Sequence, residues 1–129
     1  MKLLILAIAS IITLASCHPV EPITPKPTPF TQYGEASWYA IKCNGGTHTA
    51  SGKRLVDSAS TAAHKELPMG TVVKVTNLNN NKFEVVTITD RGPYIKGRII
   101  DVTVGVAERL GFKSNGVTEV KIVVVGKAN

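Results

Sequence analysis

Metal ligands are scarce in this chain: its three histidines, His18, His48 and His64, share no element at a ligating spacing. Cys43 and His48 make a lone pair where zinc takes three or four ligands, so neither a metal nor another cofactor is expected. Long hydrophobic runs are missing too. The apolar stretch Leu3–Leu14 falls short of the about 20 residues that a membrane-spanning helix needs. With Lys2 before it and Ala15-Ser16 after it, the stretch has the layout of an export leader over residues 1–16. Acidic residues are few, 9 against 15 basic ones, for a net charge of +6 that falls by one when Lys2 leaves with the leader. An exported basic domain has little access to nucleic acid, which is not expected as a partner, and is drawn instead to other polyanions. The chain also has no strong internal repeat.

Leu14-Ala15-Ser16-Cys17 resembles the lipobox of bacterial lipoproteins. The resemblance implies that Cys17 becomes the new N-terminus and carries a diacylglycerol, anchoring the chain to a membrane; an ordinary leader followed by an incidental cysteine is the alternative. His18 is not the aspartate that commonly retains lipoproteins in the inner membrane, so the expected address is the periplasmic face of the outer membrane. With Cys17 acylated, Cys43 has no partner for an internal disulfide, and stability must come from packing. Cys43 itself reads as a small, half-buried hydrophobe. Residues 17–33 hold the lipidated cysteine and a tether with prolines at 19, 22, 25, 27 and 29. In the polyproline II form such a stretch rises about 3.1 Å per residue.

From residue 34 to 126 the composition changes to alternating apolar and polar residues, enough for one domain. Ala36–Tyr39, Thr71–Asn77, Lys82–Thr89, Arg98–Val102 and Val117–Val125 are β-branched or aromatic and mostly alternate, which predicts strands. Asn79-Asn80-Asn81 joins the second and third as a hairpin. Thr103 is placed to cap a helix over Val104–Leu110, with Gly111 as its stop. A second, shorter helical turn is expected around Ser58–Ala63. Many short strands with little helix to cover them favour closure into a barrel, which removes open sheet edges.

Polar islands separate these strands: ASWY at 36–39, TASG at 49–52, TAAH at 61–64 running on to LPMGT at 67–71, VKVTNL at 73–78, DRGP at 90–93 and GRIID at 97–101. Their order and spacing resemble the rare lipoprotein A family, over essentially all of 34–125. The resemblance implies a mainly β fold, a six-stranded double-psi β-barrel related to expansins with one or two short helices. It also implies a lytic transglycosylase that cuts peptidoglycan glycan strands between N-acetylmuramic acid and N-acetylglucosamine, leaving a 1,6-anhydro end. The partners expected are therefore glycan strands and, through Cys17, a membrane, with the chain acting as a monomer.

A glycoside hydrolase needs an acid and a second carboxylate. A lytic enzyme uses the sugar's own C6 hydroxyl as nucleophile, so one carboxyl can protonate the leaving oxygen and then accept the hydroxyl proton. That carboxyl must hold its proton near neutral pH. Asp90, where the strand at 85–89 runs into the Arg91-Gly92-Pro93 turn, is the candidate; bonding the turn's amides is its structural alternative. His64, matching the family's histidine in TAAH, is expected to orient Asp90, share its proton or bind a sugar hydroxyl, against the alternative of a satisfied core residue. Asp101, Arg91, Tyr39, Thr49 and Ser51 are the expected substrate-binding residues, although Asp101 could equally stabilise the helix start that follows it. One position departs from the pattern. After TASG the family commonly carries an acidic residue, and this chain has Lys53, which leaves open a non-catalytic, expansin-like wall-binding or wall-loosening module; a purely structural lipoprotein is a third reading. The sequence ends soon after the last strand, and no appended glycan-binding repeat domain is expected.

Overall fold

The computed structural model describes residues 29–40, 48–52 and 54–127, together with Pro19, Pro22 and Pro25. Six strands form where β-branched residues alternate with polar ones: β1 Thr31–Tyr39, β2 Thr61–Ala63, β3 Thr71–Asn77, β4 Phe83–Asp90, β5 Arg98–Thr103 and β6 Val117–Lys127. In β3 the alternation is complete, with Thr71, Val73, Val75 and Asn77 buried and the residues between them half-buried. A strand with that pattern has one face in a core and one toward solvent.

The strands close in the order β1-β5-β2-β4-β3-β6. Two pairs, β1 with β5 and β2 with β4, run parallel, and the other four are antiparallel. Closure leaves no open edge. The interior is filled by Ala36, Ala62, Val73, Val75, Val86, Ile88, Ile100, Val102, Val120 and Ile122, all essentially inaccessible to solvent. Each larger side chain so buried contributes about 1.5–3 kcal/mol relative to exposure.

Thr103 caps a helix, α1 (Val104–Leu110): its Oγ1 accepts from Val106 N at 3.3 Å, and Gly111 ends the helix in the left-handed conformation that a side chain disfavours. Val106, Ala107 and Leu110 turn inward, and Phe112 follows them into the core. The β3–β4 hairpin closes the helix's far end. Asn77 Nδ2 and Asn80 Nδ2 both donate to the Leu110 carbonyl, at 2.9 and 2.8 Å, satisfying an acceptor the helix itself leaves open.

Two expectations change. The segment around Ser58–Ala63 is not helical: residues 57–60 form a turn, and Thr61–Ala63 is β2. Alanine favours helix on its own, but here the backbone of β2 bonds to β4 on one side and β5 on the other, which satisfies more groups than one helical turn would. β1 also begins at Thr31, inside the stretch read as tether, because Thr31, Gln32 and Tyr33 pair with β6. Among the described residues α1 is the single helix.

Candidate active site

One row of side chains crosses the outer wall of the barrel. Register pairs Ser37 of β1 with Asp101 of β5, Asp101 with Ala63 of β2, and Ala63 with Asp90 of β4. Residues in register share a face. Their sequence neighbours Ala36, Ile100 and Ala62 point into the core, so the row faces outward. Asp90 and Asp101 are two strand spacings apart, about 10 Å between backbones, with only the methyl of Ala63 between them. Tyr39 and Leu55 pack on Ala63 and wall one side of the row.

The two aspartates have different surroundings. Asp101 is half-buried, and Ser37 Oγ donates to its Oδ1 at 3.1 Å. Desolvation pushes its carboxyl up to about 6; the Ser37 bond and the Arg98 charge oppose the rise, while the negative charge of Asp90 adds to it. Asp90 Oδ1 instead accepts two backbone amides, Ala50 N at 3.0 Å and Arg91 N at 2.9 Å. Burial likewise raises the Tyr39 phenol to about 12, with Asp101 and Asp90 contributing. Thr61 lies beside the phenol and favours its ionised form, yet Tyr39 Oη completes no hydrogen bond with it.

The TASG segment docks on the end of β4. Ser51 N donates to Thr89 O at 3.0 Å, and the Thr49 and Ser51 hydroxyls are 2.9 Å apart. With Ala50 N on Asp90, this places both hydroxyls beside the row's Asp90 end.

The side chains of His64 and Arg91 bond to groups other than the two carboxyls. His64 Nδ1 accepts from Glu66 N and Leu67 N, both at 3.1 Å, which leaves the proton on Nε2 to reach Gln32 Oε1 at 2.9 Å. Burial lowers the pKa of this ring, in keeping with its neutral form. Its link to Asp90 runs through the backbone, His64 N donating to Asp90 O at 3.2 Å. Arg91 Nη1 donates to the carbonyls of His64 and Leu67 at 3.1 and 2.7 Å, bracing the 64–67 turn. Asp90, Asp101, Tyr39, Thr49 and Ser51 are thus brought together, and the His64 ring and Arg91 guanidinium are engaged beside them. Cys17, Cys43 and Lys53 lie outside the described residues. The residue missed as a site member is Ser37. Its signal was its position two before Tyr39, which puts both on one strand face.

Closed order and paired parallel strands define a double-psi β-barrel. Among solved structures, an expansin from Clavibacter michiganensis superposes with a TM-score of 0.58 at 20% identity, covering 74% of this chain and 50% of that one. A Streptomyces papain inhibitor does so at 0.61 and 18%, covering 77% and 97%. At such identities the likeness is one of fold. Sequence narrows it: the chain belongs to the lytic transglycolase family, whose model matches residues 31–122. It is 49% identical over 104 residues to the endolytic peptidoglycan transglycosylase RlpA of Rickettsia typhi, covering 79% of this chain and 32% of that protein. The RlpA protein of Neisseria meningitidis serogroup B is 47% identical over 93 residues, covering 72% and 38%. The matched region thus spans about a third of these relatives' length.

Proposed function

We propose that the domain is a peptidoglycan lytic transglycosylase, cutting between N-acetylmuramic acid and N-acetylglucosamine to leave 1,6-anhydro ends. Family membership supports the class, and the Asp101–Asp90 pair carries the chemistry. Two carboxyls in unlike environments divide the work of acid and charged partner. Asp101, desolvated and held up to about 6, keeps a usable fraction of its proton near neutral pH. It protonates the leaving oxygen and then, as carboxylate, takes the proton of the C6 hydroxyl as that oxygen closes on the anomeric carbon. Asp90, whose charge already acts on Asp101, stabilises the positive charge that develops on the sugar. Asp90, the acid expected from the sequence, here takes the part of charged partner, because desolvation raises the Asp101 carboxyl. Thr49 and Ser51 supply hydroxyls for the sugar, while His64 and Arg91 hold the turn beside Asp90 in place.

The test is digestion of purified sacculi, with mass analysis of the fragments. Wild-type protein yields anhydro ends, and Asp101→Asn, which cannot donate the proton, loses them by about a hundredfold or more while still binding sacculi. Undiminished anhydro ends in Asp101→Asn together with their loss in Asp90→Asn return the acid role to Asp90. Lys53, standing where relatives commonly carry an acid, favours a second reading, a wall-binding module without catalysis. No anhydro product from the wild type supports that reading, and a gain on Lys53→Glu supports the first.

The chain is further proposed to be held at the periplasmic face of the outer membrane by lipid on Cys17, at the end of an intact lipobox. Cys17→Ser should then move it from the membrane pellet to the soluble fraction. Retention in the pellet rejects the anchor.

A further inference from the structure

The aspartate row occupies one half of the barrel wall, β1-β5-β2-β4, and the other half runs β1-β6-β3-β4. Across that half a second outward row is in register: Tyr33 of β1 opposes Lys121 of β6, Lys121 opposes Thr76 of β3, and Thr76 opposes Phe83 of β4. The adjacent row is Thr31, Val123, Lys74 and Val85. Val75 of β3 and Ile122 of β6, which lie between the two rows, point into the core, as do the flanking Val73 and Val86, so both rows face solvent.

These rows carry exposed apolar side chains. Tyr33 is 63% and Phe83 60% exposed, and Val85 and Val125 are exposed with them. Each ring has a lysine for a neighbour: the Lys74 ammonium is 4.3 Å from the centre of the Phe83 ring, and that of Lys121 is 6.0 Å from the centre of Tyr33. The rings stand three strand spacings apart, about 14 Å. A face of this kind joins ring surfaces that stack on the C–H faces of sugars to cations that pair with carboxylates. Glu35 and Glu119, paired across β1 and β6 next to the Tyr33 row, bound the basic area on one side.

We propose that this face binds a second glycan strand of peptidoglycan, sugars on Tyr33 and Phe83 and stem-peptide or lactyl carboxylates on Lys74 and Lys121. The inference rests on the wall polymer being the substrate, as argued above. Charge selects the occupant: the chain carries +6 overall, and both rings are flanked by lysine, which suits a carboxylate-bearing glycan better than a neutral one. Because the two rows lie on opposite walls, one strand can be cut while the domain stays on its neighbour.

The test uses the full chain in four forms: wild type, Asp101→Asn, Tyr33→Ala/Phe83→Ala and Lys74→Glu/Lys121→Glu. Each is sedimented with purified sacculi and, separately, with phosphatidylglycerol vesicles, and its anhydro products from short soluble glycan fragments are measured. All four exchanged surface side chains are at least partly exposed, and thermal unfolding confirms that the variants fold. Both surface variants are expected to bind sacculi about tenfold more weakly while cleaving short fragments as the wild type does, and Asp101→Asn to bind as the wild type does. Sacculus binding by the surface variants equal to wild type overturns the inference and leaves the proposed activity standing. Wild-type binding without anhydro products overturns the activity and leaves the face standing if the surface variants bind less. A loss seen only with vesicles overturns the inference in favour of a membrane surface, and a self-associating wild type made monomeric by the variants overturns it in favour of a second copy.

Discussion

Asp101→Asn should make the protein more stable while disabling it. Burial holds the Asp101 carboxyl at about 6 against an ordinary 3.8, so the folded state binds its proton more tightly than the unfolded chain does. A raised folded pKa means a contribution fully present below about 3.8 and lost as pH climbs through about 6. At about 1.4 kcal/mol per unit, the loss at pH 8 has a ceiling of about 3 kcal/mol. Asp101 is only half-buried, and solvent screening reduces this to about 1–2 kcal/mol. Asparagine keeps the shape and can still accept from Ser37 Oγ, but carries no charge to desolvate. For a domain of this size, 1 kcal/mol corresponds to about 4–8 °C in Tm. Calorimetry of wild type and variant between pH 3.5 and pH 8 should therefore show a Tm advantage for Asp101→Asn of at least about 4 °C at pH 8 that vanishes near pH 3.5. A constant difference across that range, or a variant less stable at pH 8, would refute the assignment of the desolvated acid to Asp101. In the wild type, anhydro release should fall as pH rises through about 6, because the donor form is titrated away.

Ser37→Ala removes the bond that favours ionised Asp101, so the alkaline limb of the pH–rate profile should move to higher pH; an unmoved limb would show that the Ser37 hydroxyl does not act on the acid. Gly92 sits at φ 122, a conformation with side-chain strain of about 1–3 kcal/mol, so Gly92→Val should lower anhydro release far more than Lys127→Ala does, by displacing the amide of Arg91 from Asp90. Thr103 Oγ1 both caps α1 and donates to Ala59 O at 2.7 Å, and Thr103→Ala should cost about 1–2 kcal/mol in urea unfolding. Ile88→Ala, at a fully buried position, should cost about 2–5 kcal/mol by the same measurement.

The five longer strands and the helix were legible in local pattern. Alternation in 71–77 and 117–125, and the Thr103 and Gly111 caps, depend on neighbours within a few residues, and the chain carries that information in order. The strand Thr61–Ala63 was not legible. Three residues with two alanines have no period to read, and only the hydrogen bonds offered by β4 and β5 make them extended. Asp90 and Asp101 were both visible as acids near turns, yet the rise of the Asp101 carboxyl comes from burial within the barrel, opposed by the hydroxyl of Ser37 from a strand distant in the chain. His64 was visible as a motif residue. That its ring bonds to Gln32 and to the amides of Glu66 and Leu67 was set by β1 lying across from the 64–67 turn. The chain by itself thus determined the five longer strands, the helix, the class of fold and the family, because these follow from short-range pattern and from motif order. Tertiary structure alone decided that burial raises the Asp101 carboxyl and which residues share a wall of the barrel, because burial and register exist only once strands far apart in sequence have been brought side by side.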